Sequence, residues 1–486
     1  MYASAPAWPW ASAKPPLGGT KQSLRECTAK VAGCCGQSTR AFPSHPGASK
    51  RLAGSDAGPP SPEGRLRAPA INNVPLGPLR SGKGALASAF DVTRDRRALR
   101  RDGRVVALAT AERPLGVYLH LPFCAQKCAY CHFAIDPARP SDARRDRYLS
   151  ALTTEIGASR GGVADTIYFG GGTPSLIPPG QIGGLIGTVR SRYDIASDTE
   201  VTLEANPKDL DKRGFADLLE AGVNRLSLGV QSFDNVVLRE MFRDHTGEAA
   251  VHAARDARSA GFGNISMDLI LGWPGETRER FLDSLYRLLD LAPDHVSLYV
   301  LEIDGKTLVA HRAAEGTLRL PDDDLVADLF IEAEDVFAAA GIRAYEISNF
   351  ARPGFESRHN LKYWDDGPFH AFGMAAHGFD HGVRYWNEAT YGSYCAALEA
   401  RGTARAGERT LSRQERLEEA VMTGLRVRGG IDREQFRARH GIDMMEQFGA
   451  ALGPSVTAGL LEVDEASVRL TRRGVLMSSE VLSAVV

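Results

Sequence analysis

The chain has 486 residues, 43% of them hydrophobic, and a formal net charge of −2, which supplies apolar material for roughly two to four domains. That balance offers no overall basic surface for nucleic acid, and no uninterrupted apolar run approaches the roughly 20 residues that cross a bilayer. Seven cysteines, an odd number, argue against a secreted disulfide framework and for a reducing, cytoplasmic setting.

Proline, glycine, serine and alanine dominate Met1 to Gly84, and no helical or strand period organises the apolar residues there. Residues 1–110 are therefore expected to form a disordered, low-complexity extension. Acidic residues are scarce before Arg65, while Lys14, Lys21, Arg25, Lys30, Arg40, Lys50 and Arg51 are spread through the segment. Such a composition also suits an organellar transit peptide, and a dispensable tail or a start codon assigned too early explains it as well. Cys27, Cys34 and Cys35 fall here and are given no role. The basic stretch Arg94 to Arg104 reads as a solvated lead-in.

From Gly116 onward, short apolar runs alternate with amphipathic segments, the pattern of consecutive βα units. Strands are expected at Val117–Phe123, Thr166–Gly170, Glu200–Ala205, Arg225–Gln231, Ile265–Leu271 and Val296–Ile303, each rich in β-branched or large apolar residues. Between them, sets such as Tyr148/Leu149/Leu152/Ile156 and Ile182/Leu185/Ile186/Val189 recur at helical steps and define one buried face each. The pairs Ala221-Gly222, Ala260-Gly261 and Ala340-Gly341 each precede a strand and place glycine to end a helix in a left-handed cap. Six units in series predict a barrel or an open partial barrel, whose reactive groups gather at the C-terminal ends of the strands.

The loop after the first strand reads Phe123-Cys124-Ala125-Gln126-Lys127-Cys128-Ala129-Tyr130-Cys131-His132-Phe133. Its Cys-x3-Cys-x2-Cys spacing lets three thiolates wrap an iron–sulfur cube and leave one iron without a protein ligand, an open position of the kind that marks chemistry. A structural zinc site with His132 or a distant residue as fourth ligand is the alternative, although no second half-site follows.

Taken with Gly170-Gly171-Gly172-Thr173-Pro174 after the second strand, this loop resembles that of radical S-adenosylmethionine (radical SAM) proteins. The resemblance implies an α/β fold, a partial (β/α)6 barrel over residues 111–350 with a small, mostly helical C-terminal region over residues 351–486. It also implies a [4Fe–4S] cluster on Cys124, Cys128 and Cys131, with S-adenosylmethionine bound through its amino and carboxylate groups at the open iron. Gly171, Gly172 and Thr173 match the positions at which backbone approaches that amino group.

A finer resemblance, to the coproporphyrinogen oxidase-like subgroup, rests on Val117 to Phe123, Arg225 to Phe233 and Met267 to Ile270, and it covers the chain from about Pro114 onward. It implies that Tyr118 and Glu204 contact the cluster-bound cofactor and that Gln231, Arg243 and Asp268 line the nucleotide and second-ligand pocket. Independently of the resemblance, Glu204 and Asp268 are acids in apolar strands, where an unpaired charge is costly and a partner is expected. Arg243 reads equally well as a surface cation, and Tyr118 as an ordinary strand aromatic.

Within the subgroup, oxidases carry a further cysteine two positions after the third ligand, where this chain has Phe133, as heme chaperones do. The run His359-Asn360-Leu361-Lys362-Tyr363-Trp364 matches a chaperone motif implicated in heme binding, so His359 is a candidate heme contact with Tyr363 and Trp364 as porphyrin walls. The stretch Ala371-Phe372-Gly373-Met374-Ala375-Ala376-His377-Gly378 departs from the usual pattern by replacing two glycines, which puts its backbone turn in doubt. The expected function is heme trafficking to an acceptor protein, the bound cofactor serving structure, homodimer formation or handover. The alternative is an oxygen-independent coproporphyrinogen III oxidase.

Overall fold

The structure is a computed structural model that describes residues 113–137 and 139–486. The reading of residues 1–110 as a disordered extension lies outside them.

All six expected strands form. They are β1 (Leu115–Leu121), β2 (Gly162–Gly171), β3 (Tyr193–Ala205), β4 (Arg225–Gln231), β5 (Ile265–Leu271) and β6 (His295–Val300), paired in parallel in chain order. Every position of β1 and β5 is buried. Helices cover a parallel sheet on its faces, which is why these strands read as continuous apolar runs rather than alternating ones. The helix Asp142–Ala158 buries Tyr148, Leu149, Leu152 and Ile156, and the helix Pro179–Arg192 buries Ile182, Leu185, Ile186 and Val189. Gly222 and Gly261, at φ of +103° and +115°, end their helices in the left-handed region, which glycine enters without a Cβ clash.

The parallel run does not close on itself. Beyond β6 the chain adds β7 (Arg343–Ala344) and β8 (Asn349–Ala351), with β8 antiparallel to β6. Beyond β1 it adds β9 (Phe369–Phe372), β10 (His377–Asp380), β11 (Val383–Asn387) and β12 (Arg405–Thr410), with β9 parallel to β1. The resulting twelve-stranded sheet has the order β12-β11-β10-β9-β1-β2-β3-β4-β5-β6-β8-β7. Strand pairing therefore crosses the boundary expected at residue 350. The helices Arg413–Gly424, Arg433–His440 and Met444–Thr457 then pack with a separate small sheet, β13 (Ile431–Asp432), β14 (Leu461–Val463) and β15 (Ser467–Leu470), in the order β13-β15-β14. A reciprocal capping box of Ser412 and Glu415 starts this region, satisfying two backbone donors at the helix entry.

Candidate metal and cofactor site

The C-terminal ends of β1 to β5 open into one cleft of about 970 Å³ including its mouth. Cys124, Cys128 and Cys131 line it together with Gly171, Gly172 and Thr173. Glu204, Gln231, Arg243 and Asp268 complete its walls. Five strand ends thus converge, as the end-of-strand rule predicts.

Backbone bonds hold the cysteine loop at its neck and its middle. Cys124 N–H donates to Asp136 O at 3.1 Å, Asp136 N–H to Pro122 O at 2.8 Å, and Ala129 N–H to Met241 O at 3.0 Å. The glycine loop docks directly beneath: Gly172 N–H reaches Leu121 O and Thr173 N–H reaches Phe123 O, each at 2.8 Å. A Cβ on Gly172 would sit 2.6 Å from the Pro122 and Phe123 carbonyl oxygens, and one on Gly171, at φ +109°, would strike the His120 ring. These two glycines are therefore required by close packing against the end of β1 as well as by any ligand.

Thr173 Oγ1 donates to Cys124 Sγ at 3.5 Å, and Arg243 Nη1 to Cys128 Sγ at 3.6 Å. Arg243 is no surface cation, because its Nη2 also donates to Asn206 Oδ1 at 2.9 Å and Gly229 O at 2.8 Å. With no metal bound, burial pushes the Cys124 thiol up to about 12 and that of Cys131 to about 11; coordination to a metal deprotonates such thiols outright. Among the described residues, no three His, Cys, Asp or Glu side chains gather closely enough to hold a single ion. A zinc centre needs all its donors on one atom, whereas a cube takes its thiolates at separate corners. The remaining described cysteine, Cys395, is fully buried elsewhere, so three thiols on one cleft fit a cluster with one open iron.

The cleft floor is acidic. Glu204 accepts from Tyr168 OH at 3.0 Å and from Gly171 N–H at 3.2 Å. Burial raises it to about 7, with Asp268 pushing the same way and those two hydrogen bonds pulling back. Asp268 accepts from Ser227 Oγ at 3.3 Å and is itself raised by burial. Arg225, 2% exposed, lowers Asp268 electrostatically and gives the floor a buried counter-charge. Gln231 adopts a left-handed φ of +67° at the end of β4, and its buried Oε1 has no partner. A strained residue with an orphaned acceptor in a cleft is a ligand contact in waiting.

Family comparisons agree with this geometry. Residues 118–288 match the radical SAM superfamily, and residues 411–477 match the HemN C-terminal domain. The heme chaperone HemW of Lactococcus lactis is 34% identical over 372 residues, which cover 76% of this chain and 97% of that protein. The chain belongs to the radical SAM superfamily, in its HemN-like branch. A mouse relative, radical S-adenosyl methionine domain-containing protein 1, mitochondrial, is 32% identical over 79% of this chain and 92% of its own length. Among solved structures, coproporphyrinogen III oxidase (HemN) from Escherichia coli superposes with a TM-score of 0.68 at 25% identity, covering 77% of this chain and 90% of that one. Membership of the superfamily implies a [4Fe–4S] cluster and S-adenosylmethionine.

Two residues expected at the site of this radical SAM protein stand away from the cleft. Tyr118 is buried behind it, its hydroxyl bonded to His120 Nδ1 at 3.1 Å. His120 Nε2 in turn donates to Ala134 O, at 2.8 Å, where the cysteine loop ends. Burial lowers His120 to about 4, so the ring is neutral, with one nitrogen accepting and the other donating. Tyr118 thus acts on the loop through His120.

His359 is 0% exposed on the helix Arg358–Trp364. Its Nδ1 pairs with Thr166 Oγ1 at 2.8 Å, its Nε2 with Tyr363 OH at 2.9 Å, and its ring lies 5.1 Å from that of Tyr168. Tyr363 and Trp364 are buried against Phe369, Phe379 and Leu411. In this conformation neither nitrogen of His359 is free for iron, and the two aromatics form core rather than porphyrin walls. The expected heme contact at His359 is corrected accordingly: a histidine with two satisfied nitrogens in a closed core is a structural one.

The doubtful turn after β9 survives its substitutions. Ala375 takes the left-handed conformation itself, φ +54°, held by its N–H to Glu388 O at 2.8 Å. Residues that the sequence left without a role also emerge: Arg225, Asn206 and Asp244, the last accepting from Asn206 Nδ2 at 2.7 Å and pairing with Lys208 at 2.6 Å. Arg225 carries the same signal as Glu204, a charge inside an apolar strand.

Proposed function

We propose that this radical SAM protein is a heme chaperone, holding a [4Fe–4S] cluster on Cys124, Cys128 and Cys131, S-adenosylmethionine beside it, and heme as cargo for an acceptor protein. The observation that carries the reading is Phe133. It lines the cluster cleft at the position where the oxidases of the subgroup carry a further cysteine. A thiol can exchange protons and electrons with a substrate; a phenyl ring contributes only apolar wall. The Lactococcus lactis relative, matched over nearly its whole length, is named a heme chaperone.

When bound, the cluster supplies one-electron reduction of a sulfonium compound. The chain's own residues bind and shield. Thr173 and Arg243 donate to thiolate sulfurs and disperse their charge. Gly171 and Gly172 bring backbone to the ligand's polar end, and Glu204 offers a carboxylate to accept from its amino group. Gln231 Oε1 supplies a buried acceptor, while Tyr130 and Phe133 exclude water. Free thiols in the cleft suit a reducing, cytoplasmic compartment. Among the described residues no helix is long and apolar enough to cross a membrane.

The second reading, oxygen-independent coproporphyrinogen III oxidation, draws on the likeness to the Escherichia coli enzyme. Anaerobic incubation of the reconstituted protein with coproporphyrinogen III separates the two. The chaperone reading expects no protoporphyrinogen beyond a single turnover, together with stoichiometric heme uptake. Product over many turnovers defeats it.

A further inference from the structure

A second cavity, about 2110 Å³ including its mouth, adjoins the cluster cleft and shares Tyr130 and Phe133 with it. One wall is the C-terminal end of the sheet, Ile270 of β5 with Leu298 and Val300 of β6, and the helix Asp323–Ala339 adds Val326 and Phe330. Its interior, about 630 Å³, lies within the 300–1,000 Å³ usual for ligand pockets, and its apolar walls suit a large planar macrocycle.

Polar side chains also line this cavity, Glu302, Asp323, Ser348 and Ser478 among them, and three others are cationic or able to ligate a metal. His377 lines it from the start of β10, His132 from the cysteine loop, and Arg426 from the segment after the helix Arg413–Gly424. His377 is the reverse of His359. Its side chain opens onto the cavity, its ring stacks on Trp386 at 6.3 Å and 28°, and neither nitrogen is engaged in a hydrogen bond among the described residues. Burial and the nearby Arg384 lower its pKa, a shift toward the neutral form that ligates metals. The turn that presents it is closely packed. Gly373 is pressed so closely on His120 O and Tyr148 OH that a Cβ there would lie 2.6 and 2.7 Å from them, and Ala375 of the same turn lines the cavity. Arg426, half-buried with its guanidinium 5.4 Å over the Trp364 ring, provides the cation that an acidic porphyrin edge requires.

We propose that the heme is carried in this second cavity, with His377 as an iron ligand and Arg426 facing the propionates. The proposal rests on the heme-chaperone reading and assigns its cargo site. It predicts that the ligand lies beside the cluster loop, with Tyr130 and Phe133 forming the partition.

The test is titration of ferric heme into the full-length, cluster-loaded protein, followed by Soret absorbance and electron paramagnetic resonance. Wild type should bind with an imidazole-ligated spectrum. His377→Ala should lose that signature and bind at least tenfold more weakly with unchanged iron and sulfide content. Phe330→Trp, which fills the cavity from another wall, should weaken binding without altering the cluster and covers the case in which His377→Ala fails to fold. Loss of the signature in His132→Ala but not in His377→Ala overturns the ligand assignment. Unchanged affinity in Phe330→Trp overturns the cavity itself while leaving the chaperone reading intact. A wild-type protein that binds no heme overturns both.

Discussion

The guanidinium of Arg243 donates to the sulfur of Cys128 at 3.6 Å, tying a loop that follows β4 to the metal-binding loop that follows β1. Arg243 is also anchored to Gly229 O and Asn206, so its charge is fixed in place before any cluster binds. A positioned donor to a ligating sulfur stabilises the more negative, reduced cluster.

Arg243→Gln should therefore shift the cluster's midpoint potential to more negative values and weaken cofactor binding about tenfold, within the range of a lost charge-assisted hydrogen bond. Anaerobic redox titration and equilibrium binding read these two effects. An unchanged potential contradicts the assigned role.

Gly172→Ala tests the close approach beneath the cysteine loop. The new methyl must push against the Pro122 and Phe123 carbonyls, and backbone at that position yields only by displacing the loop. Iron and sulfide content after reconstitution should fall to a small fraction of wild type while far-ultraviolet circular dichroism remains near native.

The expected strands and cluster loop were legible because their signals are local: apolar runs at 225–231 and 265–271, and three thiols within eight positions. The insertion of β9 beside β1 was not. Phe369 pairs with Gly116 across more than two hundred residues of chain, and a four-residue strand does not name its partner. The motif around His359 was visible, but periodicity does not reveal that its ring turns inward to Thr166 and Tyr363. The second cavity was equally hidden, since its walls come from β5, β6, β10 and the C-terminal helices.

His359→Ala should destabilise the fold by roughly 2–4 kcal/mol, because truncation leaves Thr166 and Tyr363 unpaired in a closed core. Burial lowers the folded His359 to about 3 from an ordinary 6.5. Its neutral, buried state is thus favoured above the unfolded value, and that stability is lost as pH falls from about 6.5 toward 3. Wild type should lose stability over that window more steeply than the variant, as thermal denaturation against pH will show.

Glu204 has the opposite sign. Its folded value of about 7 lies above the ordinary 4.5, so protonation favours the folded state, and that contribution disappears as pH rises through 7. Accepting a hydrogen bond from the iron-bound amino group needs the carboxylate, so affinity for S-adenosylmethionine should climb between pH 6 and 8. Glu204→Gln should bind more weakly and flatten that climb. A climb of equal size in the variant removes Glu204 from the contact.

Anaerobic reconstitution with iron and sulfide, followed by metal analysis and electron paramagnetic resonance of the reduced protein, tests the central claim most directly. The account predicts about four irons and about four sulfides per chain, lost in each of Cys124→Ala, Cys128→Ala and Cys131→Ala, and a spectrum that changes when S-adenosylmethionine is added. A single zinc with no sulfide, or a cluster whose spectrum ignores S-adenosylmethionine, would contradict it.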